Sequence, residues 1–412
     1  MNPKKLVAWF LAAALVACGG SDGDPTPAPT PPLPEGQNIT IVGKVVAPDL
    51  STPIANVVVY VEGALPATSG TGQAVGSLAC GSTPDPTWAG SCSAADGTFT
   101  LSIVTPANAK LAVSKGAFRS TRTLKGYPKN GQFDAGLVSI AAGIGVDGEA
   151  PRMAVVTGAY DSIEDVLAKL GFGELENGRL KRGTERFTIF EGGSSSTGSD
   201  ANASALFEDR DGSGRIDLFD YAIVFINCGA SGMQTLIENA AVRQAVRAYA
   251  EGGGRLYVSD QAYDVVEQSF PEFIDFLGSN NTPAATAETV FAATEGAGGI
   301  TVEAQVAPGL QAWLQGVTCA GGPCVQASGR VHIEGFLGGW AVMNGAHTGA
   351  SVTTLVSGAV TFNGGTNVVK PLTMSFAVGS GRVTYTSYHN EAELGDALRP
   401  QQRILQYLVF EL

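Results

Sequence analysis

Between Asp209 and Asp220 the chain reads DRDGSGRIDLFD, and oxygen-bearing side chains fall at positions 1, 3, 5, 9 and 12 of that stretch. They belong to Asp209, Asp211, Ser213, Asp217 and Asp220. Gly214 stands at position 6, where a chain wrapping an ion must turn sharply, and Arg215 at position 7 can add its backbone carbonyl. Ile216 follows as an apolar anchor that can pack inward. Hard oxygen donors at this spacing suit Ca²⁺ better than a transition metal. A structural calcium ion is therefore expected here, pinning the entry to the apolar run Tyr221–Cys228. Imidazole chemistry has only His332, His347 and His389 to draw on. No HxH, HxxxH or Cys/His grouping stands at zinc spacing, so a zinc or iron centre is not expected.

The elements that must hold these residues come from a chain of 412 residues with 25 Lys+Arg and 38 Asp+Glu, a formal charge of −13. Such an acidic chain has no broad basic surface, so nucleic acid is excluded as a partner class. With 44% hydrophobic residues the chain can fill packed cores,. Its 54 glycines and 21 prolines exceed the usual share of about 12% and favour turn-rich, strand-rich architecture. The length suits two or three domains.

Residues 1–18 read MNPKKLVAWFLAAALVAC, with Lys4 and Lys5 ahead of an 11-residue apolar stretch from Leu6 to Val16. That stretch is too short to span a bilayer as a helix and fits a signal peptide over residues 1–17. Its end, Leu15-Val16-Ala17-Cys18, resembles a bacterial lipobox, which implies lipidation of Cys18 and a membrane held through acyl chains. Gly19, rather than Asp, follows the cysteine; by resemblance to enterobacterial sorting this points to the outer membrane of the cell envelope. Residues 18–37 are rich in Gly, Ser and Pro and read as a tether, flexible at first and then stiffened toward polyproline II. No other apolar run is long enough for a transmembrane helix. In an exported chain cysteines can pair. Cys80 with Cys92 and Cys319 with Cys324 each flank a Gly/Pro-containing loop and read as local disulfides, leaving Cys228 without an obvious partner.

Residues 38–145 read as an antiparallel β-sandwich of about seven strands, with alternation in NITIVGKVVA and TFTLSIV, the apolar run VVVYVE, and the hairpin pair Asp96-Gly97,. The segments IVGKVV, PIANVVVYVEG and ADGTFTLSI resemble the carboxypeptidase regulatory-like, transthyretin-type sandwich, which implies a spacer or binding platform. This stretch contains no histidine.

Residues 150–412 alternate buried-strand and helix patterns. Met153–Gly158, Phe187–Glu191, Tyr221–Cys228 and Arg255–Ser259 are strands. Asp161-Ser162 opens a helix with a capping signature to Glu164, and a second helix covers Asn239–Glu251. The pattern predicts a flavodoxin-like parallel sheet, whose ligands bind at the carboxyl ends of the strands. Residues 283–370 read as an inserted β region. His332 alternates with Val331 and Ile333 and is placed on the solvent side of a strand.

Four segments, MAVVTGAYDSIEDVLAKLGF, YAIVFINCG, AEGGGRLYVSD and GRVTYTSYHNE, resemble the class I glutamine amidotransferase-like fold in its divergent, trehalose-utilisation-like branch. The acidic loop likewise resembles an EF-hand or dockerin-type loop, ending in Asp rather than Glu. The amidotransferase resemblance implies a nucleophilic Cys on a sharp turn after a strand and a His-x-Glu pair near the C-terminus. His389-Asn390-Glu391 matches that pair. The turn after RLYVS carries Ser259-Asp260 and no Cys, and it lacks the glycines of a nucleophile elbow. Cys228 follows an earlier strand, where the family places oxyanion-loop backbone. The chain therefore reads as an anchored, non-catalytic binding or scaffold protein. A small polar or glycan ligand is expected near Asp161, Ser259, Asp260 and His389, and Ser259 and Asp260 are expected to cap the next helix. The alternative is a serine hydrolase with Ser259 as nucleophile, His389 as base and Glu391 orienting it.

Overall fold

The computed structural model describes residues 29–67, 80–141, 148–193, 198–278, 289–391 and 397–412. Cys18, the signal segment 1–17 and the first part of the tether lie outside them.

Eight strands build the N-terminal unit: β1 (Asn38–Val46), β2 (Val58–Val61), β3 (Gly90–Cys92), β4 (Thr98–Val104), β5 (Lys110–Lys115), β6 (Phe118–Thr123), β7 (Gln132–Ser139) and β8 (Gly148–Glu149). They form a three-stranded sheet, β4-β1-β7, and a five-stranded sheet, β3-β2-β5-β6-β8. The period of two in TFTLSIV sends Phe99, Leu101 and Ile103 into the core and leaves the threonines and Ser102 outside,. The unit is not wholly antiparallel, because β1 and β7 run parallel. It also extends past residue 145, since β8 pairs with β6. Nor is the described end of the tether free. Leu33 is buried, and Gly36 N and Gly126 N donate to the carbonyls of Thr105 and Pro31, each at 2.8 Å. The Cys80–Cys92 and Cys319–Cys324 disulfides are both formed.

The second unit is organised by one ten-stranded sheet. Its strands are β9 (Met153–Val156), β10 (Thr188–Glu191), β11 (Ala201–Asn202), β12 (Ile223–Ile226), β13 (Arg255–Ser259), β14 (Val302–Val306), β15 (Val331–Ile333), β16 (Val352–Phe362), β17 (Gly365–Val378) and β18 (Gly381–Thr386). The order is β11-β10-β9-β12-β13-β18-β17-β16-β14-β15. The first six strands are mutually parallel, and the last four continue antiparallel. β9, β12 and the middle of β13 are buried on both faces, as their unbroken apolar runs require,. The described part of the expected inserted β region is joined to this sheet. β14, β15 and β16 extend the same sheet, and the segment also contains helix Pro308–Gln315. In the expected helix after β9, Ile163–Leu167 is α-helical and widens into a π-turn over Ala168–Phe172, where Gly171 adopts φ +90°,. Asn239 caps the helix Ala240–Glu251 by accepting from Ala241 N at 2.9 Å,.

One continuous apolar core runs through both units. Phe118 of β6 packs on Phe172 and on Phe410 of the C-terminal helix Pro400–Glu411, with ring centroids 5.9 and 5.2 Å away. Trp313 Nε1 donates across the seam to Pro53 O at 2.9 Å, and Lys115 pairs with Glu411. Among the described residues no helix is long and apolar enough to cross a membrane.

Candidate functional site

Four parallel strands deliver the site residues from their carboxyl ends. β9 leads to Asp161, β12 to Asn227 and Cys228, β13 to Ser259 and Asp260, and β18 to His389 and Asn390. β9 lies between β10 and β12, so the chain order reverses beside it. Open α/β sheets form their crevice at such a reversal. The strand ends meet closely because Gly158 has no side chain: a Cβ there would lie 2.0 Å from Cys228 O.

At the centre, His389 Nε2 lies 2.7 Å from Asp260 Oδ2 and 3.1 Å from Cys228 Sγ, and that sulfur is 3.5 Å from the same carboxylate oxygen. All three residues are buried. The other Asp260 oxygen accepts from Ala341 N at 2.9 Å, and Tyr385 Oη donates to the Asp260 carbonyl at 3.0 Å. Asp260 sits at φ +41°, a left-handed bend that L residues seldom adopt and that the surrounding contacts must hold,. Asp161 forms a second layer. Its carboxylate accepts from Cys228 N at 3.0 Å, from the Ser259 hydroxyl and from Asn390 N. Asn227 Nδ2 donates to Glu164 Oε2 at 3.1 Å. His389 Nδ1, Asn227 Oδ1 and Asn390 Oδ1 are buried without a hydrogen-bond partner among the described residues.

Burial and the nearby carboxylates of Asp260 and Asp161 push the Cys228 thiol far above its ordinary range, so it holds its proton,. Burial alone would lower the His389 pKa. The hydrogen bond and charge of Asp260, aided by Asp161 and Glu391, overcome it and raise the imidazole to about 9. Asp260 also shifts upward, because its desolvation outweighs the His389 contact. The cluster therefore couples an imidazole and a carboxyl group beside a protonated thiol.

The structure redistributes the roles expected from sequence. Asp161 does not cap the helix that follows it; the carboxylate turns inward to Cys228 and Ser259. Ser259 and Asp260 make no side-chain cap either. The Ser259 hydroxyl faces Asp161 and accepts from Cys228 N at 2.9 Å, while His389 Nε2 is engaged by Asp260 and Cys228. Glu391 lends its backbone carbonyl to Gln402 Nε2 at 3.0 Å. The bend that seemed to need glycines does form, and it carries Asp260. A Cys/Asp/His group at ligand distance also exists, contrary to the linear spacing, because it gathers from residues 228, 260 and 389. The signal available for it was positional: each member follows the carboxyl end of a parallel strand.

In the acidic loop Gly214 is left-handed (φ +83°), and its N–H donates to Asp209 Oδ2 at 2.8 Å. Asp211 accepts from Ser213 N at 2.9 Å, and the Ser213 hydroxyl donates to Arg215 O at 3.3 Å. Asp217 is held by Arg210 at 2.6 Å and Asp220 by Arg215 at 2.8 Å, so two of the expected ligands are in ion pairs. His332 is half exposed and its Nδ1 lies 2.7 Å from Glu303. An open cavity of about 580 Å³ lies at the ends of β10 and β11, lined by Glu191, Gly193, Asn202, Ser204, Ser231 and Thr235.

No family model matches the chain. No curated protein matches it either. Among solved structures it is similar to a GH42 β-galactosidase from G. stearothermophilus, at 8% identity and a TM-score of 0.30, over 65% of this chain and 30% of that one. A cold-adapted β-galactosidase from Rahnella sp. R3 gives 10% identity and 0.30, over 64% and 31%. A cytoplasmic protein of Salmonella typhimurium gives 10% and 0.33, over 64% of this chain and 98% of that one. The chain spans about a third of the length of the β-galactosidases it matches. Overlaps of this size assign neither family nor activity.

Proposed function

We propose that the chain is an exported lipoprotein, anchored to the cell envelope membrane through Cys18, whose folded part is a non-catalytic binding or scaffold module. A transthyretin-type sandwich acts as the spacer, and an amidotransferase-like sheet carries the ligand site. The observation that supports this reading is the closure of the Cys228–Asp260–His389 cluster. Nucleophilic catalysis needs a deprotonated or base-coupled attacking atom with room for a substrate. Here the thiol keeps its proton, the Ser259 hydroxyl is tied to Asp161, and both Asp260 oxygens are filled. The cavity at the ends of β10 and β11, which none of Asp161, Ser259, Asp260 and His389 lines, joins hydroxyl, amide and carboxylate groups to an apolar wall and is our candidate place for a small polar or glycan ligand,. The acidic loop serves as a structural calcium site once Arg210 releases Asp217 and Arg215 and Arg152 release Asp220.

The test has two arms. The full chain is offered a broad ester and peptide panel alongside Ser259→Ala, Cys228→Ala and His389→Gln, and a glycan array is probed with Thr235→Trp as the cavity-filling control. The reading expects no turnover that depends on these residues and glycan binding that the tryptophan abolishes. Hydrolysis lost in Ser259→Ala and His389→Gln would establish the serine hydrolase instead.

A further inference from the structure

The buried cluster has the composition of an incomplete zinc shell, drawn tighter than a tetrahedral ion would leave it because His389 and Asp260 stand at hydrogen-bond separation,. Separations of 3.1, 2.7 and 3.5 Å among His389 Nε2, Asp260 Oδ2 and Cys228 Sγ put the three atoms on a circle of radius about 1.8 Å, so a point about 1 Å off that plane lies about 2.1 Å from each, within about 0.2 Å of zinc's bond lengths to nitrogen, carboxylate oxygen and sulfur,. We propose that Cys228, Asp260 and His389 form a Zn²⁺ site that joins the carboxyl ends of β12, β13 and β18.

The donor set selects the ion. A thiolate and an imidazole disfavour Ca²⁺ and Mg²⁺, which take oxygen, and suit a borderline ion without a strong geometric preference. Three protein ligands leave one coordination position open. On binding, the thiol proton of Cys228 and the imidazolium proton of His389 pass to solvent, leaving thiolate, neutral imidazole and carboxylate on the ion. The ion also accounts for the local architecture. Asp260 is held at φ +41° with its second oxygen fixed by Ala341 N, and Cys228 N is fixed by Asp161 and Ser259, so two of the three ligands are oriented before any metal arrives,. Tyr160, which is exposed, covers this side of the cluster, with its ring 6.4 Å from the His389 ring and its backbone N–H donating to Cys228 O at 3.3 Å. Uptake at this cluster is independent of what the strand-end cavity holds.

The full chain, stripped with chelator, is titrated with Co²⁺ as a spectroscopic probe. One equivalent is expected to bind with a thiolate-to-cobalt charge-transfer band, and Zn²⁺ to displace it. Cys228→Ser and His389→Gln are expected to lose the band and to bind at least about 100-fold more weakly, a loss no smaller than that for removing an outer-shell partner. The Asp209→Ala/Asp211→Ala double variant retains the band, which separates this site from the acidic loop. Should the ligand variants fail to fold, the wild-type chain decides alone: Zn²⁺ must slow alkylation of Cys228, followed by peptide mass spectrometry, by at least tenfold. Absence of the band in the wild type, its survival in Cys228→Ser, or an alkylation rate indifferent to Zn²⁺ would overturn the assignment.

Discussion

Removing the Asp161 carboxylate tests whether the second layer holds the strand ends together. Asp161 is 4% exposed and accepts from three donors: Cys228 N, the Ser259 hydroxyl and Asn390 N. In Asp161→Ala, Cys228 N keeps the Ser259 oxygen at 2.9 Å, and Ser259 keeps only Ile226 O at 3.4 Å, while no other acceptor for Asn390 N is evident. One donor is stranded and a second is poorly served, at about 1–3 kcal/mol each. The expected loss is about 2–5 kcal/mol, measured as a lower guanidinium midpoint at unchanged slope, with tryptophan fluorescence as the probe. Asp161→Asn keeps one acceptor oxygen and loses about half as much. A loss under about 1 kcal/mol for the alanine variant would show that solvent or relaxation satisfies these donors, and the cluster would not be the rigid assembly described.

Burial raises Asp264 to about 7, far above an unfolded carboxyl,. Because the folded pKa is the higher one, its contribution to stability is full below about pH 4 and is lost as pH rises through 7,. Asp264→Asn should therefore gain about 1–3 kcal/mol at pH 8 and almost nothing at pH 4; equal effects at both pH values in thermal scans refute this. Gly158→Ala must push a methyl into Cys228 O and should cost more than about 2 kcal/mol or abolish soluble expression,; a neutral effect on the melting temperature contradicts the close approach of β9 and β12. Reducing Cys80–Cys92, which closes 12 residues, should cost about 3 kcal/mol, and Cys319–Cys324, which closes 5, about 2, on loop-entropy grounds,; serine variants in denaturant titrations check the order. Millimolar CaCl₂ should raise the melting temperature of the wild type and leave Asp209→Ala unmoved, with a larger shift in the Arg152→Ala/Arg215→Ala double variant, where Asp220 loses both ion-pair partners,.

The strands and their order of appearance were legible in the sequence because buried parallel strands read as unbroken apolar runs. MAVV, IVFI and RLYVS all lie where the pattern put them. Pairing direction was not legible: β1 meets β7 in parallel because the two are distant in sequence and nothing local fixes their sense. The extension of the sheet by β14 to β16 was hidden for the same reason. At the site, His389 and Ser259-Asp260 could be found by position, yet their partners could not. Asp161 reads locally as a helix cap, and only strand order reveals that its carboxylate is wanted by Cys228 N instead. Cys228 looked like a leftover thiol until β12 and β18 were placed on either side of β13.

The seam between the units is completed by helix Pro400–Glu411: Phe410 lies on Phe118 and Glu411 on Lys115. During synthesis β5 and β6 emerge long before those partners exist, so the packing of the first unit stays incomplete until helix Pro400–Glu411 follows. Deleting that helix would uncover apolar surface on the distant strands β5 and β6, so the integrity of the first unit is tied to residues far along the chain.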